Sequence, residues 1–299
     1  MQRELSIAIL AGLGGMFGWG FSEFATKKSV DKIGTVSSLV WAHVFGTIIL
    51  ILVLLSKLFI IHTYVAFPIN LGQWLGVIFF GILQTMVYYF SYKAFEKGEV
   101  SILSPIFASF AGIVALLSVT IFGEVLHASL IPALLLVFGG VILINLDVEN
   151  LKKKRLSIKG VAGLKEIIIA TILATVWTLG WNKFTKGNDW LVYTTLMFVF
   201  MTISALFIAK YQKINLREAT LGVWKYLWLI ALGEVVAYLA ITLGYSSTKY
   251  VSVVAILSGA SSLPTLVLAR IFLKEKMVKI QMIASLVIIL GIILLSAIN

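Results

Sequence analysis

Residues 100–124 read VSILSPIFASFAGIVALLSVTIFGE, and residues 251–275 read VSVVAILSGASSLPTLVLARIFLKE. Laid on each other at an offset of 151, they pair Val100-Ser101 with Val251-Ser252, Leu117 with Leu268 and Glu124 with Glu275. The same register runs on without a gap and pairs Gly140 with Gly291. Each stretch is apolar over the ~20 residues that a helix needs to cross a hydrocarbon core. A second match, at an offset of 160, pairs Gly20 with Gly180 and Phe24 with Phe184. Internal repetition on this scale is a common construction of secondary transporters.

The rest of the chain has the same character. Of its 299 residues 60% are apolar and 12% charged, with a mean hydropathy of +1.04. A soluble domain carries about 25% charged residues, so the composition is that of an integral membrane protein. Ten apolar runs are long enough to span: Leu5–Thr26, Thr35–Ile60, Gln73–Phe95, Val100–Phe122, Ala128–Leu146, Leu164–Phe184, Trp190–Lys210, Val223–Ser246, Val251–Leu273 and Ile280–Ile298. Lipid offers backbone groups no partners, which makes these runs helices. The first run follows Arg3 as a signal peptide would, but it lacks a small-residue cleavage site and continues through Gly18-Trp19-Gly20, so it reads as a span.

The expected fold is therefore all-α and integral to the membrane, with ten transmembrane helices as two five-helix repeats. Residues 1–147 form the first repeat, residues 148–163 a basic connection containing Lys152 to Arg155, and residues 164–299 the second. Five is odd, so the second repeat enters the membrane in the opposite orientation. Charge agrees: residues 123–127 carry no Lys or Arg, whereas the equivalent connection holds Lys274, Lys276 and Lys279. Most of the 24 Lys and Arg fall in the odd-numbered loops, which the positive-inside rule places in the cytoplasm, with both termini outside. The formal charge of +11 is thus a topological signal, and no nucleic-acid partner is expected.

An ionisable group in mid-span is costly and marks either function or a satisfied structural bond. Glu234 is the carboxylate so placed. It would bind a proton, a cation or a substrate amino group in a central cavity; a protonated Glu bonded to a neighbouring helix is the alternative. His43 is the mid-span histidine, a relay partner for Glu234 or a packing residue. Helical spacing puts Tyr238, Thr242 and Tyr245 on the face of Glu234. It likewise groups Gln84 with Tyr88, Ser91 and Phe95, and Thr171, Thr175 and Thr178 with Asn182. Trp19 and Trp177 lie deeper than interfacial anchors should. The candidate substrate-binding set is Glu234, Tyr238, Trp19, Tyr88, Gln84, Trp177, Asn182 and His43. Small residues and the prolines Pro105 and Pro264 favour close packing or bends in the fourth and ninth spans. With no cysteine and three isolated histidines, no metal site, cofactor or thiol chemistry is expected. No enzyme motif appears.

The order of these features resembles the drug/metabolite transporter superfamily, its EamA-type family above all. The likeness rests on ten spans in two five-span repeats, on Trp-Gly-Phe-Ser-x-Phe at Trp19–Phe24 followed by Lys27, and on Gly123-Glu124 echoed by Lys274-Glu275. It covers essentially the whole chain. The resemblance implies a secondary transporter working by alternating access, located in the plasma or inner membrane, with protons or a counter-substrate as the driving species. It also implies termini in the cytoplasm, opposite to the charge count. An amino acid is the first expected substrate, for export or exchange. Sugars or nucleotide-sugars are the rival, and a lipid-handling flippase or accessory protein is the reading from another class. The outer faces of the fifth and tenth spans meet lipid or a second copy of the chain.

Overall fold

The computed structural model describes residues 2–98, 100–144, 162–216, 221–273 and 278–298. Among these, all regular structure is helical: α1 (Gln2–Phe59), α2 (Leu71–Lys97), α3 (Val100–Thr120), α4 (Leu130–Ile144), α5 (Leu164–Thr185), α6 (Trp190–Tyr211), α7 (Leu221–Ser247), α8 (Val251–Ser258), a 3-10 turn (Gly259–Ser261), α9 (Ser262–Leu273) and α10 (Lys279–Ala297). By length and apolar composition seven helices can each cross a membrane, the run 251–272 counted as one; two shorter apolar helices, Ile106–Thr120 and Leu130–Ile144, join them. Several starts are written in local chemistry. Asn70 accepts a hydrogen bond from Gln73 N (2.9 Å) at the head of α2, and Asp189 accepts from Leu191 N and Val192 N (3.0 and 3.2 Å) at the head of α6. Both are favourable N-caps. The basic connection 148–161, with Lys152 to Arg155, lies outside the described residues, as do Lys274, Glu275 and Lys276.

The first two apolar runs differ from expectation. The sequence suggests a loop over residues 27–34, yet the helix continues to residue 33 and restarts at 35. Lys27 and Asp31 pair at 2.8 Å one turn apart, and nothing in Lys27–Ile33 breaks a helix. Gly34 alone does, at φ 75° and ψ 169°. A straight helix of 58 residues would run about 87 Å, but here the chain doubles back: the Ser29 and Ser38 hydroxyls meet at 2.8 Å. Gly34→Ala forces an L side chain into a backbone region that is essentially glycine-only, at a cost of about 1–3 kcal/mol. A Cβ there would touch nothing within 4 Å, so the cost is confined to the turn. We expect Gly34→Ala to lower the melting temperature in detergent while each folded molecule stays as active as wild type.

Glycine also sets the closest helix contacts. A Cβ on Gly18 would stand 2.5 Å from the Gly233 carbonyl oxygen, and one on Gly233 would stand 2.5 Å from the Gly18 carbonyl oxygen. The first limb of α1 therefore lies backbone-to-backbone on α7, directly beside Trp19 and Glu234.

The repeat register reappears where α4 meets α10. Gly140 packs on Ala284 and Ile288, and Gly291 packs on Ala133 and Val137. Shifted by 151, Ala133, Val137 and Gly140 become Ala284, Ile288 and Gly291. The two helices thus exchange identical contacts about a local two-fold axis, and they run antiparallel, since the later residues of one face the earlier residues of the other.

Candidate functional site

Tyr238 on α7 is the hub of a buried polar and aromatic cluster. Its ring meets Trp19 edge-on at 5.8 Å, Trp177 at 5.6 Å and Phe198 at 5.2 Å. Its hydroxyl accepts from Gln84 Nε2 (2.5 Å) and donates to the Tyr88 hydroxyl (3.1 Å). Tyr88 in turn contacts the His43 ring at 5.3 Å, which also lies against Phe198 at 5.9 Å. One turn before Tyr238, Glu234 is fully buried, with Oε2 3.8 Å from His43 Nε2. Five elements converge: both limbs of α1 (Trp19 and His43), α2 (Gln84 and Tyr88), α5 (Trp177), α6 (Phe198) and α7.

The hydrogen-bond accounting of this cluster is unusual. Buried polar groups are nearly always paired, yet among the described residues both carboxylate oxygens of Glu234, His43 Nε2, Gln84 Oε1 and the indole nitrogens of Trp19 and Trp177 find no hydrogen-bond partner. The Ser22 and Tyr92 side chains approach Glu234 without meeting hydrogen-bond geometry. Among the described residues, His43 is the basic group within 4.0 Å of it. His43 Nδ1 lies 2.7 Å from the Leu39 carbonyl oxygen. Because a carbonyl can only accept, Nδ1 carries the proton, and in a neutral ring Nε2 is left as an acceptor. The cluster therefore presents two indole donors on one side of Tyr238 and a carboxylate, an amide oxygen and an imidazole nitrogen around it. No three His, Asp or Glu side chains among the described residues converge on a point where a metal could sit.

Seven of the eight candidate residues meet here. Asn182 stands apart: five residues beyond Trp177 on α5, it donates to the Tyr245 carbonyl oxygen (3.1 Å). In the polar stripe that contains it, Thr171 donates to the Ile167 carbonyl one turn back (2.8 Å) and also approaches the Ile106 carbonyl of α3 (3.3 Å), and Thr175 donates to the Thr171 carbonyl (2.9 Å). Ser91 likewise bonds back to Val87. The bend expected of the ninth span is the 3-10 turn between α8 and α9, where Ala260 leaves helical geometry at ψ 17° just before Pro264. The side chains of Ser101, Ser104 and Pro105 lie outside the described residues.

Three residues escaped the sequence reading. Tyr92 is one helical turn beyond Tyr88 and bonds to Thr26 at 3.3 Å; the spacing from Gln84 and Tyr88 could have found it. Phe198 is one apolar residue among many and gave no signal. Glu23 is a second carboxylate near the end of the first apolar run, accepting from Ser261 Oγ (2.8 Å) and Thr265 Oγ1 (3.3 Å) at the α8–α9 break. The run ending at Thr26 places it near a membrane edge, and its partners are set by the α8–α9 break, which sequence spacing does not reveal.

A family model described as the EamA-like transporter family matches the chain twice, over residues 6–146 and 162–297. No curated protein sequence matches it. Twenty-seven solved chains match in structure. One, a crystal structure described simply as that of a protein, superposes with a TM-score of 0.71 at 15% identity, covering 96% of this chain and 94% of its own. At that identity the likeness speaks to the fold alone.

Proposed function

We propose, from the premise that this chain belongs to the EamA-like transporter family, that it exports or exchanges a small amphipathic metabolite, an amino acid or close analogue, by alternating access. Membership makes it a multi-pass membrane protein of a transporter family. The finer reading is our own. Counting each limb of α1 separately, and α8 with α9 as one interrupted crossing, gives ten crossings. The antiparallel α4–α10 contact supports opposite insertion of the two repeats, and the concentration of Lys and Arg supports cytoplasmic odd-numbered loops in the plasma or inner membrane.

The observation that carries the substrate reading is the set of unpaired polar atoms around Tyr238. An amino acid carries a cationic and an anionic group on one carbon. The acceptors Glu234 and Gln84 suit its ammonium group; the indole N–H groups of Trp19 and Trp177 suit its carboxylate. The aromatic walls suit an apolar or aromatic side chain. A buried carboxylate without a partner is strongly disfavoured, so Glu234 needs a cation, and a proton and a substrate ammonium are equivalent in that respect. Their competition for one carboxylate would couple export to proton entry.

The test uses proteoliposomes loaded with amino acids, sugars and nucleotides, with mass spectrometry following what leaves, with and without an imposed pH gradient. We expect selective loss of amino acids with apolar or aromatic side chains, faster with the gradient. Loss of sugars or nucleotides instead would transfer the site to the porters that stack a sugar on Trp and Tyr. No selective loss from folded, inserted protein would move lipid handling to the front.

A further inference from the structure

With Glu234, His43 and Tyr238 all fully buried, the site is closed to solvent, and something must close it. Along the seam of α5 and α7 a buried column leads away from it. Trp177 stacks on Trp181 at 5.6 Å; Trp181 Nε1 donates to Thr242 Oγ1 (3.0 Å); Asn182 reaches the Tyr245 carbonyl (3.1 Å). From Glu234 to Tyr245 is about 16 Å along the helix. Tyr245 is 1% exposed, and beside this end of the column, next to Asn182, Lys183 Nζ stands 5.4 Å from the centre of the Phe122 ring, two residues before Glu124 in the other repeat.

Glu124 sits on the short connection after α3, beyond Gly123 at φ 69°. Its carboxylate oxygens accept from Ser252 N (3.0 and 3.3 Å), and Oε1 accepts from Ser252 Oγ (2.5 Å). Ser252 is in the first turn of α8, where backbone N–H groups lack helical partners, and Tyr250 at the N-cap supplies no side-chain bond. The need is thus met from across the repeat boundary. Burial holds the Glu124 carboxyl above its ordinary range even though Ser252 and nearby Lys186 pull the other way. The neighbouring residues Ile121, Phe122 and Gly123 are exposed, so this contact is the rim of the molecule.

We propose that Glu124 and Ser252 form the latch that closes this face of the bundle over the column leading to Glu234. Substrate or solvent reaches the column from this side only when the Glu124–Ser252 contact parts. Both residues act by positioning α8 against the first repeat; neither touches the site. The inference rests on the transport reading, but its readout is accessibility, so it can fail while transport stands, and the converse.

The natural chain has no cysteine, so Thr242→Cys gives a single thiol in the column. In sealed membrane vesicles of either orientation, a membrane-impermeant maleimide should label it slowly from both sides. Adding Glu124→Ala, which removes all three bonds, should raise the labelling rate at least tenfold from the face bearing residues 121–129 and leave the opposite face unchanged; Ser252→Ala, which removes the hydroxyl bond and keeps the backbone ones, should raise it less. The double variant should label no faster than Glu124→Ala, because that change already removes the contact. Ser252→Ala deletes a single oxygen and carries the test by itself, as a smaller rise from the same face, if Glu124→Ala does not fold. An unchanged rate would overturn the latch. So would a rise from both faces, which would mean that Glu124 is merely a helix cap whose loss loosens the whole bundle.

Discussion

Glu234→Gln will give a protein that withstands heat at least as well as wild type and transports at least tenfold less. The two halves of that result come from one observation: neither oxygen of Glu234 makes a hydrogen bond to any of the described residues. A structural carboxylate is held by donors, and replacing it costs stability. This one is fully buried, with the His43 ring 3.8 Å away and the Ser22 and Tyr92 side chains near it but out of hydrogen-bond geometry, and burying a carboxylate under such conditions costs several kcal/mol. The amide of Gln has the same shape and no charge, so the folded state loses a penalty and little else. Transport fares differently. A hydrogen bond to a charged group contributes about 1.5–3 kcal/mol, and losing it from the loaded site lowers the apparent affinity for an ammonium group about ten- to a hundredfold. Residual transport should no longer respond to an imposed pH gradient. Thermal unfolding in detergent and exchange in proteoliposomes, run on the same preparation, decide the matter. A destabilised Glu234→Gln protein with normal exchange would make the residue structural and remove the reason for placing substrate beside Tyr238.

Gly18→Val should abolish recovery of folded protein altogether. The Cβ of any residue at position 18 would meet the Gly233 carbonyl oxygen at 2.5 Å, the Ala237 nitrogen at 2.7 Å and the Ala237 Cβ at 2.9 Å. Two of these are backbone atoms that no side-chain rotation can move. The only relief is to part α1 from α7, and helices in lipid are held together largely by close packing at small residues. Overpacking of this kind costs more than about 3 kcal/mol when nothing can shift. Since Trp19 and Glu234 adjoin the two glycines, the same separation would open the cluster around Tyr238. Size-exclusion profiles should show aggregate for Gly18→Val and a monodisperse peak for Gly34→Ala. A monodisperse Gly18→Val protein would mean that the α1–α7 contact yields more readily than its geometry implies.

Much of this architecture is legible in the sequence. Runs of ~20 apolar residues carry their own reading because lipid leaves the backbone no alternative to a helix. The buried cluster is legible for a related reason: Glu234 and His43 are conspicuous in mid-span, and the spacing from Glu234 to Tyr238 or from Gln84 to Tyr88 names residues that share one face of a helix. Ends were not so legible. Lys27, Lys28, Asp31 and Lys32 look like a loop by composition, but charged residues form good helix once outside the hydrocarbon, and only Gly34 reverses the chain. Hydroxyls were ambiguous for the opposite reason. Thr171 and Thr175 read as part of a polar stripe on one helix face, yet a threonine in a helix can satisfy itself on the carbonyl one turn back. Glu23 was missed because its meaning depends on where α8 breaks, which lies 238 residues away in the chain.

The exchange of Gly140 and Gly291 between α4 and α10 bears on what can stay still. Suppose that the two halves of the chain swap shapes as the molecule turns from one side of the membrane to the other. Every contact between them is then converted into its counterpart: Gly140 against Ile288 becomes Gly291 against Val137, and the reverse. The seam that these two contacts make together is carried onto itself and so keeps its form. It would then be the fulcrum, and probes fixed at Gly140 and Gly291, which the axis exchanges, would give one unvarying distance, a ruler built into the protein for reading the movement of everything else.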